Sequence, residues 1–127
     1  MDATTRRLVR SRAGECCEYC GRLQSDAPSL KFHVEHVKAR QHAGSDHPNN
    51  LALACGHCNS HKGPNLTGID PETNQIVPLF NPRQDSRSEH FALDGISFVG
   101  LTPTGRATVR VLAMNSEEQL RRRRALQ

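Results

Sequence analysis

Two pairs of cysteines in this chain have the spacing of a metal site. Cys17 and Cys20 form one Cys-x-x-Cys pair, and Cys55 and Cys58 form the other. Each pair can present two thiolates from a single turn, and two pairs complete the tetrahedral Cys₄ set of a structural Zn²⁺. Free or disulfide-bonded thiols are the alternative. Cys16 directly precedes the first pair, and we interpret it as a buried or spare thiol because adjacent residues seldom point at one ion.

The stretch from His33 to Lys62, which contains the second pair, is rich in metal-binding and proton-transferring side chains. Metal-assisted phosphodiester hydrolysis needs a base that deprotonates water and a divalent ion on the scissile phosphate. Glu35 and Asn59 offer the hard oxygen ligands that suit Mg²⁺ or Mn²⁺. His36, neutral near pH 7, would be the base. Successive strand residues point to opposite sides, so Glu35 and His36 share a site only at a backbone turn or at a strand end.

Plainer interpretations exist for the same three residues. His36 could be a satisfied core histidine, Glu35 a surface ion-pair partner, and Asn59 a helix cap. The catalytic interpretation is favoured because Glu35 and His36 lie between the two cysteine pairs and Asn59 directly follows the second pair.

The surrounding pattern predicts short elements that would position these residues. Residues 1–15 read as a helix, capped by Thr4 or Thr5 and ended by Gly14. Partial alternation predicts a strand from Leu30 to Val37. A loop over residues 41–50, a short strand over residues 51–54 and a helix starting at residue 59 complete the order strand, loop, strand, helix.

The remainder of the chain contains turn-forming residues and a second alternating region. Residues 66–90 are interrupted by glycine and proline and read as irregular. Alternation over residues 91–113, with a turn signal at Thr102–Gly105, predicts a β-hairpin. Asn115 or Ser116 is predicted to cap a last helix. We predict one α+β domain over 1–127, comprising an N-terminal helix (1–15), a zinc-stapled core (16–66) and an irregular segment, hairpin and C-terminal helix (67–127).

The charge of the chain favours a polyanionic partner, and the polar start of the chain favours a reducing compartment. The net charge of +4 suits nucleic acid, although a merely basic soluble protein would have the same value. No apolar segment opens the chain and no run reaches membrane-spanning length. We therefore expect a cytoplasmic protein without a membrane partner.

The motifs, taken in order, resemble those of the HNH endonucleases. The matching pieces are Cys17-x-x-Cys20, Val34-Glu35-His36-Val37, Asn50-Leu51 and Cys55-x-x-Cys58-Asn59-x-x-Lys62-Gly63. Stand-alone bacterial members look similar further on, through Leu79–Arg83, Glu89–Phe91, Gly100–Ala107 and Asn115. The resemblance implies a ββα-metal core and metal-dependent cleavage of DNA.

The resemblance also implies roles for single residues. His36 would be the general base, Glu35 and Asn59 would bind one divalent ion, and Asn50 would brace the loop and the base. Mg²⁺ or Mn²⁺ is favoured as the ion, and Ni²⁺ or Zn²⁺ is acceptable to the same ligands. Ala43 stands where many members have glycine, at a position that could need a positive φ.

Three more residues could touch the ion or the phosphate: His61 as a further ligand or phosphate contact, and His42 and Lys62 as phosphate contacts.

Two other functions fit the same sequence. A non-catalytic, zinc-stapled nucleic-acid-binding module would explain the cysteines and the charge, but it does not need Glu35 beside His36. A subunit of a phage or host-defence assembly is the third interpretation, and the sequence leaves the oligomeric state open.

Overall fold

The chain forms five α-helices and three two-stranded antiparallel sheets in the computed structural model, which describes residues 1–127. These elements belong to two compact units. The first comprises Met1–Pro64 and Asn81–Gln84, and the second comprises Asn65–Phe80 and Asp85–Gln127. The α+β class is confirmed, whereas a single domain over 1–127 stays a prediction. None of the helices is long and apolar enough to span a bilayer.

Helix α1 (Ala3–Arg12) opens the first unit. It begins at Asp2, whose carboxylate accepts a hydrogen bond from the backbone N–H of Thr5 at 2.8 Å. The predicted caps Thr4 and Thr5 were wrong, because the aspartate just before the helix satisfies a free N–H group of the first turn. Gly14, with φ of +63°, lies just beyond the helix end, as predicted.

Strands β1 (His33–His36) and β2 (Leu51–Ala54) form the sheet of the first unit. They are antiparallel, with His33 opposite Ala54 and His36 opposite Leu51. Strand β2 has the predicted bounds and is fully buried, whereas β1 is shorter than predicted. The predicted loop between them contains two short 3₁₀ helices, at residues 40–42 and 48–50.

Helix α2 (Gly56–Lys62) follows β2 directly. Its predicted start at Asn59 was wrong, because the second cysteine pair is itself the first turn. Cys55 is the cap residue, and its Sγ accepts from the N–H of Cys58 at 3.5 Å. The predicted order strand, loop, strand, helix is observed.

The second unit begins with a hairpin that the sequence did not predict. Strands β3 (Thr67–Ile69) and β4 (Ile76–Pro78) pair antiparallel where irregular chain was expected. The turn between them is held by Asp70, whose carboxylate accepts from the N–H of Glu72 and the hydroxyl of Thr73.

The rest of the second unit consists of helix α3 (Arg87–His90), strands β5 (Phe91–Asp94) and β6 (Ser97–Gly100), helix α4 (Pro103–Val111) and helix α5 (Glu117–Ala125).

A hairpin is present in this region, but its predicted turn was wrong. The β5–β6 turn contains Gly95 with φ of +62°. Residues 102–105 instead begin α4, because the Thr102 hydroxyl accepts from the N–H of Gly105 at 3.0 Å and Pro103 fits the first helical position. The predicted cap at Ser116 is confirmed by its bond from the N–H of Gln119.

Candidate active site

The four paired cysteines converge on one point in the first unit. All four Sγ atoms lie within 4.8 Å of one another, and those of Cys20 and Cys55 are 3.8 Å apart. Four thiolates at ~2.3 Å from a tetrahedral zinc would be separated by about 3.8 Å. None of the cysteines forms a disulfide. The cluster, formed by Cys17, Cys20, Cys55 and Cys58, therefore fits a structural metal ion.

The thiols of the cluster share their protons unequally. Hydrogen bonds from the other thiols, first that of Cys17, hold the pKa of Cys55 well below the usual thiol range, whereas burial raises the pKa of Cys17 and hydrogen bonds raise that of Cys58. A metal ion would displace the remaining protons, because its ligands are thiolates. Cys16 is not part of the cluster, and its Sγ points to the carbonyl oxygen of Gly14 at 3.3 Å. The structure thus confirms the interpretation of Cys16 as a spare thiol.

A buried chain of polar contacts links the first cysteine pair to Glu35. Tyr19 lies between Cys17 and Cys20, is 1% exposed, and donates its hydroxyl proton to one carboxylate oxygen of Glu35. The ammonium group of Lys62 lies 3.1 Å from the other oxygen. Burial raises the pKa of Glu35, and the charge of Lys62 and the Tyr19 hydrogen bond oppose that rise only in part. The carboxylate therefore has a partner on each oxygen, but these two partners do not fully replace the water that burial removes.

His36 is paired with an aspartate of the β1–β2 loop. Its Nε2 lies 2.7 Å from Oδ1 of Asp46, and Arg40 contacts both oxygens of that carboxylate at 3.0 Å. Hydrogen bonds from His36 and then Arg40 hold the pKa of Asp46 below its usual value. An ionised Asp46 accepts a hydrogen bond from Nε2–H, which leaves Nδ1 of His36 as the basic nitrogen.

Sequence reasoning missed Asp46. It lies ten residues after His36 in a loop whose Gly-Ser-Asp sequence indicates only a turn. Its approach to His36 depends on how the loop folds, and no residue spacing encodes that. An acid within a loop flanked by histidines was the one available signal.

A cleft of about 470 Å³ brings the predicted catalytic residues together. Its walls include Glu35, His36 and Asn59, together with His33 and Arg40. Glu35 is buried while His36 is half-buried, in keeping with the alternation of a strand. Both line the same cleft, which runs along the whole of β1.

Asn50 lies outside this cleft and joins the two ends of the β1–β2 loop. Its side-chain oxygen accepts from the N–H of Lys38 at 2.9 Å. Its amide group donates to the carbonyl oxygens of Lys38 at 3.0 Å and Ser45 at 2.7 Å. These three bonds fix the loop that carries Arg40 and Asp46.

Three other predicted residues occupy positions away from the cleft walls. His61 is exposed, with its Nδ1 2.8 Å from the carbonyl oxygen of His57. His42 is exposed in the first 3₁₀ helix. Lys62 is 2% exposed, and its ammonium group contacts both Glu35 and the carbonyl oxygen of His36, at 3.2 Å. A phosphate could reach Lys62 only by displacing those partners.

The loop geometry agrees with the glycine pattern noted above. Ala43 adopts φ of +65°, so this position does take the left-handed conformation that glycine favours. Gly44 next to it could not carry a side chain, because a Cβ there would lie 1.6 Å from the carbonyl oxygen of Lys38.

Residues 17–65 match the family model of the HNH endonucleases. The predicted resemblance is confirmed for this segment. It spans the cysteine cluster, the Glu35–His36 pair, the braced loop and Asn59. Searches of curated proteins and of solved structures returned no significant match.

Proposed function

We propose that the chain is a metal-dependent HNH endonuclease that hydrolyses DNA phosphodiester bonds. His36 is the general base, and Glu35 and Asn59 hold one divalent ion. The observation that carries this proposal is the pairing of His36 with Asp46 at 2.7 Å on the wall of the cleft that Glu35 and Asn59 also line.

The pairing supports proton abstraction by His36. With Nε2–H bonded to Asp46, Nδ1 is free to accept a proton from water. The ionised Asp46 then stabilises the imidazolium that forms, while Arg40 keeps that carboxylate in position. Asp46 acts through His36 and is a positioning residue.

The donor set supports a divalent ion at Glu35 and Asn59. Carboxylate and amide oxygens suit Mg²⁺ or Mn²⁺, and the same ligands accept Ni²⁺ or Zn²⁺. Each oxygen of Glu35 has a second lone pair beyond the bonds from Tyr19 and Lys62. A divalent ion bound there would stabilise the charge on the scissile phosphate and the leaving 3′-oxygen. The structural Zn²⁺ on the four cysteines would hold Tyr19, and through it the Glu35 carboxylate.

The proposal is tested by nicking of supercoiled plasmid DNA in Mg²⁺ or Mn²⁺. Substitution His36→Ala should lower the rate by ~10²–10⁴-fold, the usual contribution of a general base. Asp46→Asn should lower it by roughly 10–100-fold, as expected for a residue that orients another. The matched control is His47→Ala, an exposed histidine of the same loop outside the cleft walls.

All three variants should keep the zinc content and the unfolding temperature of the unaltered chain. A His36→Ala protein that nicks DNA at the original rate would rule out the assigned base.

One observation favours a second candidate, a zinc-stapled nucleic-acid-binding module without catalysis. The contacts of Glu35 with Tyr19 and Lys62 are those of a buried structural ion pair. Calorimetric titration with Mn²⁺ separates the two. DNA binding with no divalent ion bound at Glu35, and no nicking under any divalent ion, would establish the module.

A further inference from the structure

A second cleft in the first unit adjoins the one that contains His36. It has a volume of about 310 Å³ and is lined by Arg6, Arg10, Lys31, Phe32, His33 and Val34. We call it the basic groove. His33 and Val34 also line the catalytic cleft, so the two clefts meet along β1.

The charge of the basic groove is of one sign. Arg6, Arg10, Lys31 and His33 are its polar walls, and no acid lines it. Arg10 is fixed by the carbonyl oxygen of Phe32 at 2.8 Å and by the carboxylate of Glu15 at 3.3 Å. Arg6 and Lys31 are exposed, and no ion pair within the chain neutralises them. Their charge is therefore available to an external anion.

The groove and the catalytic cleft share a wall, so a strand that lies in one can continue into the other. His33 lines both clefts, and His36 lines the catalytic cleft three residues further along β1, which corresponds to ~10 Å along a strand. One strand of B-DNA has a phosphate for about every 3.4 Å of helix axis, so a backbone that follows β1 over this length presents more than one phosphate. A continuous polyanion can occupy both clefts at once, whereas a small anion could not.

We propose that the basic groove binds the DNA backbone that flanks the scissile phosphate, with Arg6 and Lys31 as its phosphate contacts. This inference rests on the proposed nuclease function, whose cleavage site it extends. The groove would hold the strand in register along β1 and would carry no sequence information, because phosphate contacts position a duplex without reading its bases.

The test compares two double variants that lose the same charge. Arg6→Gln/Lys31→Gln alters the groove, and Arg7→Gln/Arg121→Gln removes two exposed arginines outside it. Both are made in the His36→Ala background, so that the DNA stays uncut. Binding of a short labelled duplex is measured by fluorescence anisotropy across a salt series, and zinc content and unfolding temperature confirm folding.

The groove variant should bind about tenfold or more weakly than its parent, and its slope of log affinity against log salt should fall by about two. The control variant should change far less. Equal weakening of both variants would mean that only net charge matters and would overturn the groove, as would undiminished binding by the groove variant. By contrast, groove-dependent binding by a wild-type chain that never nicks DNA would overturn the nuclease proposal alone.

Discussion

Each unit of the chain buries one carboxylate against a basic side chain, and the pKa values of the two carboxylates are shifted in opposite directions. Asp70 in the second unit is fully buried and accepts two bonds from Arg106, at 2.8 and 2.9 Å. It also accepts from the N–H of Glu72 and the hydroxyl of Thr73. Glu35 in the first unit is nearly as buried but has only two donors.

The number and geometry of the donors explain the difference. The paired N–H groups of Arg106 outweigh burial and hold the pKa of Asp70 well below its usual range. At Glu35 burial is the larger effect, and the pKa is raised. Asp70 is thus a satisfied brace of the β3–β4 turn. Glu35 retains acceptor capacity beside an open cleft, an arrangement more typical of functional sites than of structural ones.

The two carboxylates also differ in what maintains their surroundings. Tyr19, which donates to Glu35, lies inside the first Cys-x-x-Cys pair, so a metal on the cysteines would fix one of the two partners of Glu35. The partners of Asp70 lie on its own turn and on α4. The comparison predicts that losing the metal disturbs Glu35 directly.

The largest effect is expected from Cys55→Ser, with Cys16→Ser as its control. Loss of one ligand should release the metal, whose binding contributes ~10–16 kcal/mol to folding in small zinc-binding domains. The first unit should then unfold. Tyr19 is the only tyrosine and the chain has no tryptophan, so its fluorescence reports on the surroundings of Glu35. Cys16→Ser should keep the bound metal and the Tyr19 emission. Full metal content in Cys55→Ser would contradict the four-cysteine site.

A second prediction exchanges the two carboxylates for amides. Glu35→Gln should lower plasmid nicking by more than the roughly 100-fold typical of changes outside the direct ligands. It should also lower the unfolding temperature, because the amide leaves the buried ammonium group of Lys62 without its carboxylate partner. Asp70→Asn should leave nicking unchanged, with a fall of several degrees in unfolding temperature through the loss of its ion pair with Arg106. Nicking assays and thermal unfolding of both variants give the four values, and a loss of activity from Asp70→Asn alone would invert the assignment of the two carboxylates.

Local signals predicted part of the fold well. Strand β2 has the expected bounds because its short apolar run, limited by a loop on one side and a cysteine pair on the other, is entirely buried. The second half of the hairpin predicted over residues 91–113 was wrong, since two of its alternating residues, Ala107 and Val111, also lie one helical turn apart. Residues 102–105 were predicted to be a turn, but the hydrogen bond to the Thr102 hydroxyl begins a helix there.

The site residues show the same limit. Glu35 and His36 were identifiable as a pair because they are adjacent in a motif. The pairing of His36 with Asp46 depends on the loop that Asn50 ties, which is a tertiary property. Burial of Lys62 follows from the register of α2: once the helix begins at the second cysteine pair, Cys58 and Lys62 lie one turn apart on its buried face. A helix start placed three residues too late concealed this.

The smallest predicted effect is the pH dependence of stability, which should have opposite signs for the two carboxylates. The folded-state pKa of Asp70 is lowered, so Asp70 stabilises the fold above its ordinary value of 3.8, and this stabilisation is lost as the pH falls through the folded-state pKa. The folded-state pKa of Glu35 is raised, so its contribution is complete below its ordinary value of 4.5 and is lost as the pH rises through the folded-state pKa.

Urea unfolding from acid to neutral pH measures the free energy of unfolding of each amide variant and of the unaltered chain. The difference between variant and unaltered chain is the quantity compared, because protonation of the cysteines affects both proteins alike. With rising pH the deficit of Asp70→Asn should grow, whereas Glu35→Gln should gain relative to the unaltered chain. Parallel slopes for the two variants would show that Glu35 is as well satisfied as Asp70, and the contrast between the two units would disappear.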